Sequence, residues 1–399
     1  MTIYPVKGIR LATASAGIRY RDRDDLVVIE CQPGSSCATV FTRNKFSAAP
    51  VQLAKLHITE STPRAFLVNS GNANAGTGEE GMKIAARCCE LLAAALGREA
   101  SEVLPYSTGV IGEQMPVEAF EAAIPGCVKR LSAEVDAWER AAKAIMTTDT
   151  VPKLFSRKIN IAGWEVSITG MAKGAGMIRP DMATMLAFIA TDAVIEQPVL
   201  QLLLDEATGI SFNRITVDGD TSTNDACTLL ASGALDMVPI APGSKEYAQF
   251  SAVLSSLMQE LAQSIIRDAE GASKFITINV AGGESETDCL AVAYTVAESP
   301  LVKTALFASD PNWGRILAAV GRAPVSSLDI GQVNIILNGV AIVTAGEPDS
   351  AYTEEAGMQA VAGTDITVEI KLGSSAEAVT VWTSDLSHEY IRINAEYRT

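Results

Sequence analysis

Short apolar runs dominate the first third of the chain, and clusters of glycine, proline, serine and asparagine separate them. This pattern is typical of buried strands joined by turns. It predicts strands over 25–31, 38–42 and 65–69. Residues 153–169 alternate between apolar and polar positions like a β-hairpin, with 160–163 as its turn.

Other segments repeat apolar residues at the spacing of an α-helix. Residues 78–96 are predicted to be helical, and Gly97 stands where a C-terminal cap belongs. Residues 171–179 are predicted to form a glycine-bearing loop that leads into the apolar run 184–190. Further helices are predicted over 117–131, 133–146, about 199–211 and about 247–269, and further strands over 227–231, 274–280, 333–337, 366–371 and 378–383. The mixed order favours an α+β fold, and no compositional shift marks a linker between domains.

Composition and charge narrow the classes of function. The chain has 399 residues, 31 Lys and Arg, 47 Asp and Glu, and a net charge of −16, so a nucleic-acid partner is not expected. No apolar stretch reaches about 18 residues and the opening lacks a secretory pattern, which predicts a cytoplasmic protein without a membrane partner. The seven cysteines are odd in number and form no CxxC pair, so we expect reduced, mostly buried thiols.

The scarcity of histidine restricts the chemistry. His57 and His388 are the two histidines of the sequence, which leaves few ways to build a Ser-His-Asp triad or a multi-histidine metal site. The acidic segment 218–225 has Thr223 and Leu229 where a calcium loop needs Gly and Glu, so a structured turn is the better interpretation. No phosphate-binding loop motif occurs, and we expect neither a metal nor a bound cofactor.

Several motifs along nearly the whole chain resemble one family. The block 173–188, KGAGMIRPDMATMLAF, is the most specific, and it ends in Ala183, Thr184 and an apolar run. The other matching segments are 68–75, 107–112, 217–225, 311–315 and 394–399. Together they resemble the ornithine acetyltransferases, the glutamate N-acetyltransferases of arginine biosynthesis. Local chemistry alone would make 107–109 a turn and Thr184 an ordinary strand-opening residue.

The resemblance implies a self-cleaving enzyme with an N-terminal threonine nucleophile. The Thr184 hydroxyl would attack the Ala183 carbonyl, and hydrolysis would leave chains 1–183 and 184–399, which stay associated. The α-amine of Thr184 would then serve as the base for its own hydroxyl, so no histidine is required. The implied fold is a layered αββα sandwich formed jointly by the two chains, and two such units would form a dimer.

The resemblance also implies substrates and site residues. N-acetylornithine would donate acetyl to Thr184, and glutamate would accept it in a ping-pong cycle. Thr108 and Gly109 would form the oxyanion hole. Lys173 would pair with a substrate α-carboxylate and Glu270 with the ornithine side chain. The implied substrate-binding residues are Thr147, Lys173, Thr184, Glu270, Asn394 and Thr399. Some members of the family also use acetyl-CoA as a co-substrate.

Two other classes of function remain open from the residues alone. Aminopeptidases with a self-generated N-terminal nucleophile also arise by self-cleavage, but the nucleophile at their new N-terminus is usually serine rather than threonine. A metabolic binding protein that merely kept the fold would bind substrate without turnover and would not cleave at Thr184. The binding residues could also have no functional role. Lys173 would then be a solvated loop charge, Glu270 a helix-end residue, and Asn394 and Thr399 part of a frayed tail.

Overall fold

The computed structural model describes residues 2–179 and 185–396. The described residues fall into two compact units. Unit 1 contains the residues up to Asn213 together with Thr221–Ile265, and unit 2 contains Arg214–Asp220 and the residues from Ile266 onward.

The strands of the described chain are, in order, β1 Ile9–Ala14, β2 Leu26–Cys31, β3 Ser36–Phe41, β4 Ala65–Asn72, β5 Val103–Val110, β6 Lys153–Ile161, β7 Trp164–Lys173, β8 Leu186–Thr191, β9 Ile215–Thr216, β10 Ala226–Ala231, β11 Phe275–Ala281, β12 Asn334–Leu337, β13 Val340–Thr344, β14 Glu347–Pro348, β15 Asp365–Lys371 and β16 Ala378–Ser384. The helices are α1 Ala49–Glu60, α2 Gly78–Leu96, α3 Val117–Val128, α4 Val135–Ala144, α5 Gln197–Gly209, α6 Lys245–Arg267, α7 Glu286–Ala297, α8 Pro300–Phe307, α9 Trp313–Gly321, α10 Glu354–Ala360 and α11 His388–Glu396.

Unit 1 is a sandwich of two sheets between two layers of helices. The first sheet has the order β1-β2-β4-β5, and the second has the order β3-β10-β8-β7-β6. Side chains such as Phe66 and Phe188 fill the core between the sheets. Helices α2 and α3 pack on the outer face of the first sheet, and α5 and α6 pack on the second. Helix α4 lies against the edge strands β1 and β6 and contributes Trp138 to the same core.

Coverage of both sheet faces explains the continuous apolar runs in the sequence. Every residue of β2, β4, β8 and β10 is buried. A strand that is covered on both faces needs apolar or small residues at all positions rather than at alternate ones. The sandwich therefore accounts for sequences such as LVVIEC and LAFIAT.

Unit 2 is built around one mixed sheet with the order β14-β13-β12-β15-β11-β16-β9. Its strands β12 and β15 alternate between buried and more exposed residues. The buried positions join α7, α8 and α9 in one apolar core. Such alternation is expected of a sheet with helices on one face.

The structure confirms the α+β class and most predicted elements. The helix predicted over 78–96 coincides with α2, and Gly97 adopts φ +66° as its cap. The predicted hairpin is formed by β6 and β7, with Ala162 and Gly163 at the turn. The three strands predicted first correspond to β2, β3 and β4. The predicted helices after 117, 133, 199 and 247 correspond to α3, α4, α5 and α6, and the later predicted strands to β10, β11, β12, β15 and β16.

Two interpretations from local chemistry are wrong. Residues 107–109 do not form a turn but lie inside β5, because pairing with β4 outweighs the turn preference of Ser-Thr-Gly. The loop predicted over 171–179 begins only at Gly174, since Met171–Lys173 continue the pairing of β7 with β8. No prediction covered the strands β1, β9, β13 and β14, the helix α1 or the helices α7 to α11.

Two chemical expectations are tested by the fold. All seven cysteines are free and buried, as predicted. Within the described residues, no helix is long and apolar enough to cross a membrane.

The inter-sheet core predicts a difference between two tryptophans. Trp138 is fully buried there, whereas Trp164 is exposed at the hairpin tip. Trp138→Ala leaves a cavity, so we expect the free energy of unfolding to fall by about 3–5 kcal/mol. Trp164→Ala should stay within about 1 kcal/mol of wild type. Urea unfolding of both variants checks this, and equal losses would contradict the assignment of the core.

Candidate active site

Lys173, the last residue of β7, contacts two other predicted site residues. Its side chain is buried, and its backbone pairs with Leu186 at the start of β8. The Nζ atom donates to Thr147 Oγ1 at 2.9 Å and to Thr108 Oγ1 at 3.1 Å. The interpretation of Lys173 as a solvated loop charge is therefore wrong.

Thr108 and Gly109 lie on β5, in the sheet opposite to Lys173. Gly109 has φ +132°, and a Cβ there would lie 2.2 Å from the Gly71 carbonyl carbon. No other residue fits this backbone, because β4 and β5 approach too closely. Both Thr108 and Gly109 are half-buried, so these residues remain reachable from outside the core.

The acidic segment before β10 is a structured loop, as the sequence analysis favoured. Its Asn224 is buried, and the Asn224 amide donates to the Ala73 carbonyl at 2.6 Å and the Ser107 carbonyl at 3.0 Å. Ser107 directly precedes Thr108. The loop thus fixes the backbone of β5 where the oxyanion hole is predicted.

Asp149 is a buried carboxylate that the sequence analysis did not identify. It accepts from Lys153 Nζ at 2.7 Å, from the Gly174 N–H at 2.7 Å and from the Thr147 N–H at 3.0 Å. Burial alone would raise its pKa, but Lys173, Lys153 and these N–H groups outweigh burial and bring the pKa to about 2. Asp149 therefore stays ionised, and it ties Thr147 to the loop after Lys173. A lone Asp two residues from Thr147 forms no recognisable motif, so only the structure could find it.

Glu270 and Asn394 form a second group, within unit 2. Asn394 Nδ2 donates to Glu270 Oε2 at 2.7 Å. Gly271 makes this possible, because a Cβ there would lie 2.6 Å from the Tyr390 nitrogen. Ser387 Oγ also donates to the Gly271 carbonyl at 2.6 Å. The turn after α6 is thus held against the start of α11, and the frayed-tail interpretation of Asn394 is wrong.

The two histidines are engaged in structural contacts. His57 is buried, and its Nδ1 lies 2.8 Å from the Val103 carbonyl oxygen. The His388 ring packs edge-on against Phe307 in unit 2. Both imidazole rings therefore make contacts that stabilise the fold around them.

Three of the predicted residues, Ala183, Thr184 and Thr399, lie outside the described residues. The start of β8, which follows Ala183 and Thr184 in the sequence, is held by backbone hydrogen bonds on both sides. The Met185 carbonyl accepts from the Ala226 N–H at 2.9 Å, and Leu186 pairs with Lys173 on its other side. The N-terminal end of β8 therefore lies between β7 and β10, beside the Lys173 cluster.

Comparison with known proteins identifies the family. The ArgJ family model matches residues 10–399. Arginine biosynthesis bifunctional protein ArgJ of Pseudomonas syringae pv. tomato is 54% identical over 399 residues, covering 100% of this chain and 98% of that protein. The protein of the same name from Methylococcus capsulatus is 54% identical over 395 residues, covering 99% of this chain and 96% of that protein. A crystal structure of arginine biosynthesis bifunctional protein argJ from Bacillus halodurans aligns with a TM-score of 0.51 at 34% identity, covering 53% of this chain and 98% of the solved one.

With these matches, the sandwich and its lysine–threonine cluster define an acyltransferase of arginine biosynthesis, of the glutamate N-acetyltransferase class. The chain belongs to the ArgJ family. The resemblance drawn from the motifs is confirmed. Family membership favours acetyl transfer over the aminopeptidase and binding-protein alternatives.

Asp149 predicts a specific pH dependence of stability. Its pKa lies below the ordinary value of 3.8, so its stabilising contribution is present above about pH 4 and is lost as pH falls toward 2. Asp149→Asn should lower the free energy of unfolding at pH 7 by about 3–5 kcal/mol, because the buried Lys153 ammonium group loses its ion pair with Asp149.

Urea unfolding between pH 7 and pH 2 provides the measurement. The difference between wild type and Asp149→Asn should shrink by roughly 2 kcal/mol below pH 4. Asp136→Asn is the control, because its ion pair with Arg140 at 3.1 Å is exposed and should contribute less than about 1 kcal/mol. A difference that stays constant with pH would refute the assignment.

Proposed function

We propose that the protein moves acetyl from N2-acetylornithine to glutamate through an acetyl ester on Thr184, giving ornithine and N-acetylglutamate. The position of Lys173 carries this proposal. Its ammonium group holds the hydroxyls of Thr108 and Thr147, and its backbone pairs with Leu186, two residues after Thr184. The reaction class comes from the family.

Self-cleavage between Ala183 and Thr184 generates the nucleophile. The Thr184 oxygen attacks the Ala183 carbonyl carbon, the C–N bond breaks, and the hydroxyl proton passes to the nitrogen. Water then hydrolyses the ester and leaves 183 and 399 − 183 = 216 residues. The solved Bacillus halodurans chain supports this proposal, since it is itself covered to 98% but spans only 53% of this chain.

The two products remain associated through the second sheet of unit 1. Strands β8 and β10 come from residues after 184, and β3, β6 and β7 come from residues before it. β8 pairs with β7, and β10 pairs with β3, so both products would build one αββα sandwich. Separation would expose strand edges on both sides, which is unfavourable.

The α-amine of Thr184 acts as the general base for its own hydroxyl. An unperturbed α-amine has a pKa of about 7.7–8.0, close to working pH. His57 is buried with its Nδ1 atom at the Val103 carbonyl oxygen, so we assign the role of base to the amine and not to His57. The amine takes the hydroxyl proton as Thr184 attacks the acetyl carbonyl, and it gives that proton to the ornithine nitrogen as the amide C–N bond breaks. The amine of glutamate then attacks the ester, and the proton it loses passes through the α-amine to the departing Thr184 oxygen.

Thr108 and Gly109 stabilise the tetrahedral oxyanion in both half-reactions. An ammonium group can only donate, so Thr108 Oγ1 accepts from Lys173 and its own hydrogen is available for the oxyanion. Gly109 has a positive φ, which sets the direction of the adjacent peptide groups. Any residue with a Cβ would clash with Gly71 in this conformation. One donor of this kind contributes about 2.7–4 kcal/mol to the transition state.

Substrate recognition uses charges of both signs. Lys173 pairs with the α-carboxylate that both substrates carry, and Thr147 supports it. Glu270 pairs with the ornithine ammonium, and Asn394 fixes the Glu270 carboxylate. Thr399 is a further proposed substrate-binding residue, because the resemblance to the family implies it.

The bifunctional name of the relatives favours a second activity. We propose that acetyl-CoA also acetylates Thr184 as a co-substrate, so that the enzyme makes N-acetylglutamate directly as an amino-acid N-acetyltransferase. Neither activity needs a bound cofactor. We further propose a dimer of the two-chain unit, located in the cytoplasm, where the seven free cysteines stay reduced.

An isotope experiment tests the overall reaction. Purified protein is mixed with N2-acetylornithine carrying a labelled acetyl group and with unlabelled glutamate. We expect label in N-acetylglutamate and labelled peptide at Thr184 after acid quench. In a separate reaction without glutamate, ornithine labelled in its carbon chain should be converted into labelled N2-acetylornithine by unlabelled N2-acetylornithine. Release of labelled acetate alone would instead identify a hydrolase of the aminopeptidase class.

Thr184 variants test the nucleophile. Thr184→Ala lacks the attacking hydroxyl, so we expect one uncut chain and no acetyl transfer. Thr184→Ser keeps a hydroxyl and should retain partial cleavage and transfer. Denaturing electrophoresis and the transfer assay measure both properties, and full activity of Thr184→Ala would exclude this mechanism.

Glu270→Gln tests the recognition of ornithine. Removing the charge should raise KM for N2-acetylornithine by about 10- to 100-fold, because a hydrogen bond to a charged group is worth about 1.5–3 kcal/mol. Initial-rate kinetics at varied concentrations of each substrate provide the measurement. KM for glutamate, which lacks the side-chain amine, should change less. Equal effects on both KM values would reject the assigned role.

A further inference from the structure

A cleft with a volume of about 420 Å³ lies between the loop that joins β1 to β2 and the loop that joins α4 to β6. This volume is within the range of about 300–1,000 Å³ that is typical of small-molecule sites. All the residues that line the cleft belong to unit 1. Lys173 and Thr147 do not line it, so the cleft is separate from the candidate active site.

The charge of this cleft is opposite to that of the whole protein. Three basic residues, Arg23, Arg140 and Lys143, line it together with one acid, Asp24. The sequence as a whole has 31 basic and 47 acidic residues. The Asp24 carboxylate already accepts from the Thr13 hydroxyl. The end of α4 adds the partial negative charge of its helix dipole, but three full positive charges exceed both contributions. The cleft therefore favours an anionic ligand.

Arg23 is held in a fixed position at this cleft. Its Nη2 atom donates to the Met146 carbonyl at 2.6 Å, and its Cζ atom lies 3.7 Å from the centre of the Tyr20 ring. Within the described part of the chain, Arg23 has no ion pair with a carboxylate. A guanidinium group has five N–H donors in a planar fork that matches the geometry of a phosphate group. Arg23 thus offers a pre-arranged donor group for phosphate.

The other two cations are exposed and lie one turn apart on α4. Lys143 forms no ion pair with any described residue. Arg140 pairs with Asp136 at 3.1 Å, but this pair lies at the surface, where such interactions contribute little. Both side chains can therefore turn toward a ligand in the cleft without disturbing the core.

One segment of the chain connects the cleft with the Lys173 cluster. Met146 and Thr150 line the cleft, whereas Thr147, which lies between them in the sequence, accepts from Lys173 Nζ at 2.9 Å. A ligand that occupies both places must be long, and its anionic end must be remote from its reacting group. Acetyl-CoA has this form, because the acetyl thioester is at one end and the phosphate groups are on the nucleotide at the other.

We propose that this cleft binds the phosphate groups of acetyl-CoA and so gives the enzyme separate recognition of its two acetyl donors. The inference rests on the second activity proposed above. Met146 and Pro152 add apolar surface beside the cations, which suits the adenine ring, and the faces of such rings also stack on guanidinium groups. N2-acetylornithine carries no phosphate, so the cleft contributes to the use of acetyl-CoA alone.

Two double variants test the cleft by kinetics. Arg140→Ala/Lys143→Ala removes two of its cations, and both side chains are exposed, so the fold should be kept. We expect kcat/KM for acetyl-CoA to fall by about 10-fold or more, because the phosphate groups lose charge-assisted hydrogen bonds. The value for N2-acetylornithine should stay within about 2-fold of wild type. Lys83→Ala/Arg87→Ala is the matched control: it removes two exposed cations from α2 and should leave both values unchanged.

A truncated donor shows which part of acetyl-CoA the cleft recognises. S-acetylpantetheine carries the same thioester without the phosphate-bearing nucleotide. Its kcat/KM should be lower than that of acetyl-CoA with wild type, and it should be the same with Arg140→Ala/Lys143→Ala. An unchanged kcat/KM for acetyl-CoA in this variant, or an equal fall for both thioesters, would overturn the proposal.

Titration calorimetry with CoA separates this inference from the second activity. Wild type should bind CoA, Arg140→Ala/Lys143→Ala should bind it about 10-fold more weakly or worse, and inorganic phosphate should bind wild type much more weakly than CoA. Equal affinities for phosphate and CoA would overturn the proposal, since the cleft would then be a general anion site. If wild type uses N2-acetylornithine but not acetyl-CoA, the second activity is refuted. CoA binding that depends on the two cations would then still support the cleft, and absence of CoA binding would overturn it.

Discussion

The burial of one ammonium group determines how the candidate site of unit 1 is assembled. Lys173 lies in the core between two sheets, where an unpaired charge would be very costly. Its hydrogen bonds to Thr147 and Thr108 reach a loop and a strand of the opposite sheet. Satisfying this charge therefore aligns the two sheets and places both hydroxyls beside the start of β8.

The surrounding acids support this arrangement in different ways. Asp149 is ionised and fully hydrogen-bonded, and it fixes the loop that carries Thr147. Asp225 is buried, and burial raises the pKa of its carboxyl well above the ordinary value. The first acid compensates charge that is already present.

Much of unit 1 could be predicted from its sequence, because fully covered strands and amphipathic helices leave strong periodic signals. The helix α2 and the β6–β7 hairpin are examples. Local chemistry alone favours a turn at 107–109, since Ser-Thr-Gly is typical of turns and the pairing of β5 with β4 is a long-range contact. In unit 2, α7 was missed because small apolar residues also occupy its outer face. Its signal was Ser285, which accepts from the Asp288 N–H and caps the helix.

The candidate site shows the same division between local and long-range information. The resemblance to the family implied Thr108, Thr147 and Lys173, but their mutual hydrogen bonds depend on the sandwich and not on spacing along the chain. Asp149 carries no motif signal that separates it from surface acids. Its importance follows from its burial and from its hydrogen-bond partners.

The most direct test of the account is the intact mass of the purified wild-type protein under denaturing conditions, combined with N-terminal sequencing of each fragment. The account predicts two chains that copurify, of 183 and 399 − 183 = 216 residues, the second beginning at Thr184. A protein that transfers acetyl to glutamate while remaining a single uncut chain of 399 residues would contradict it.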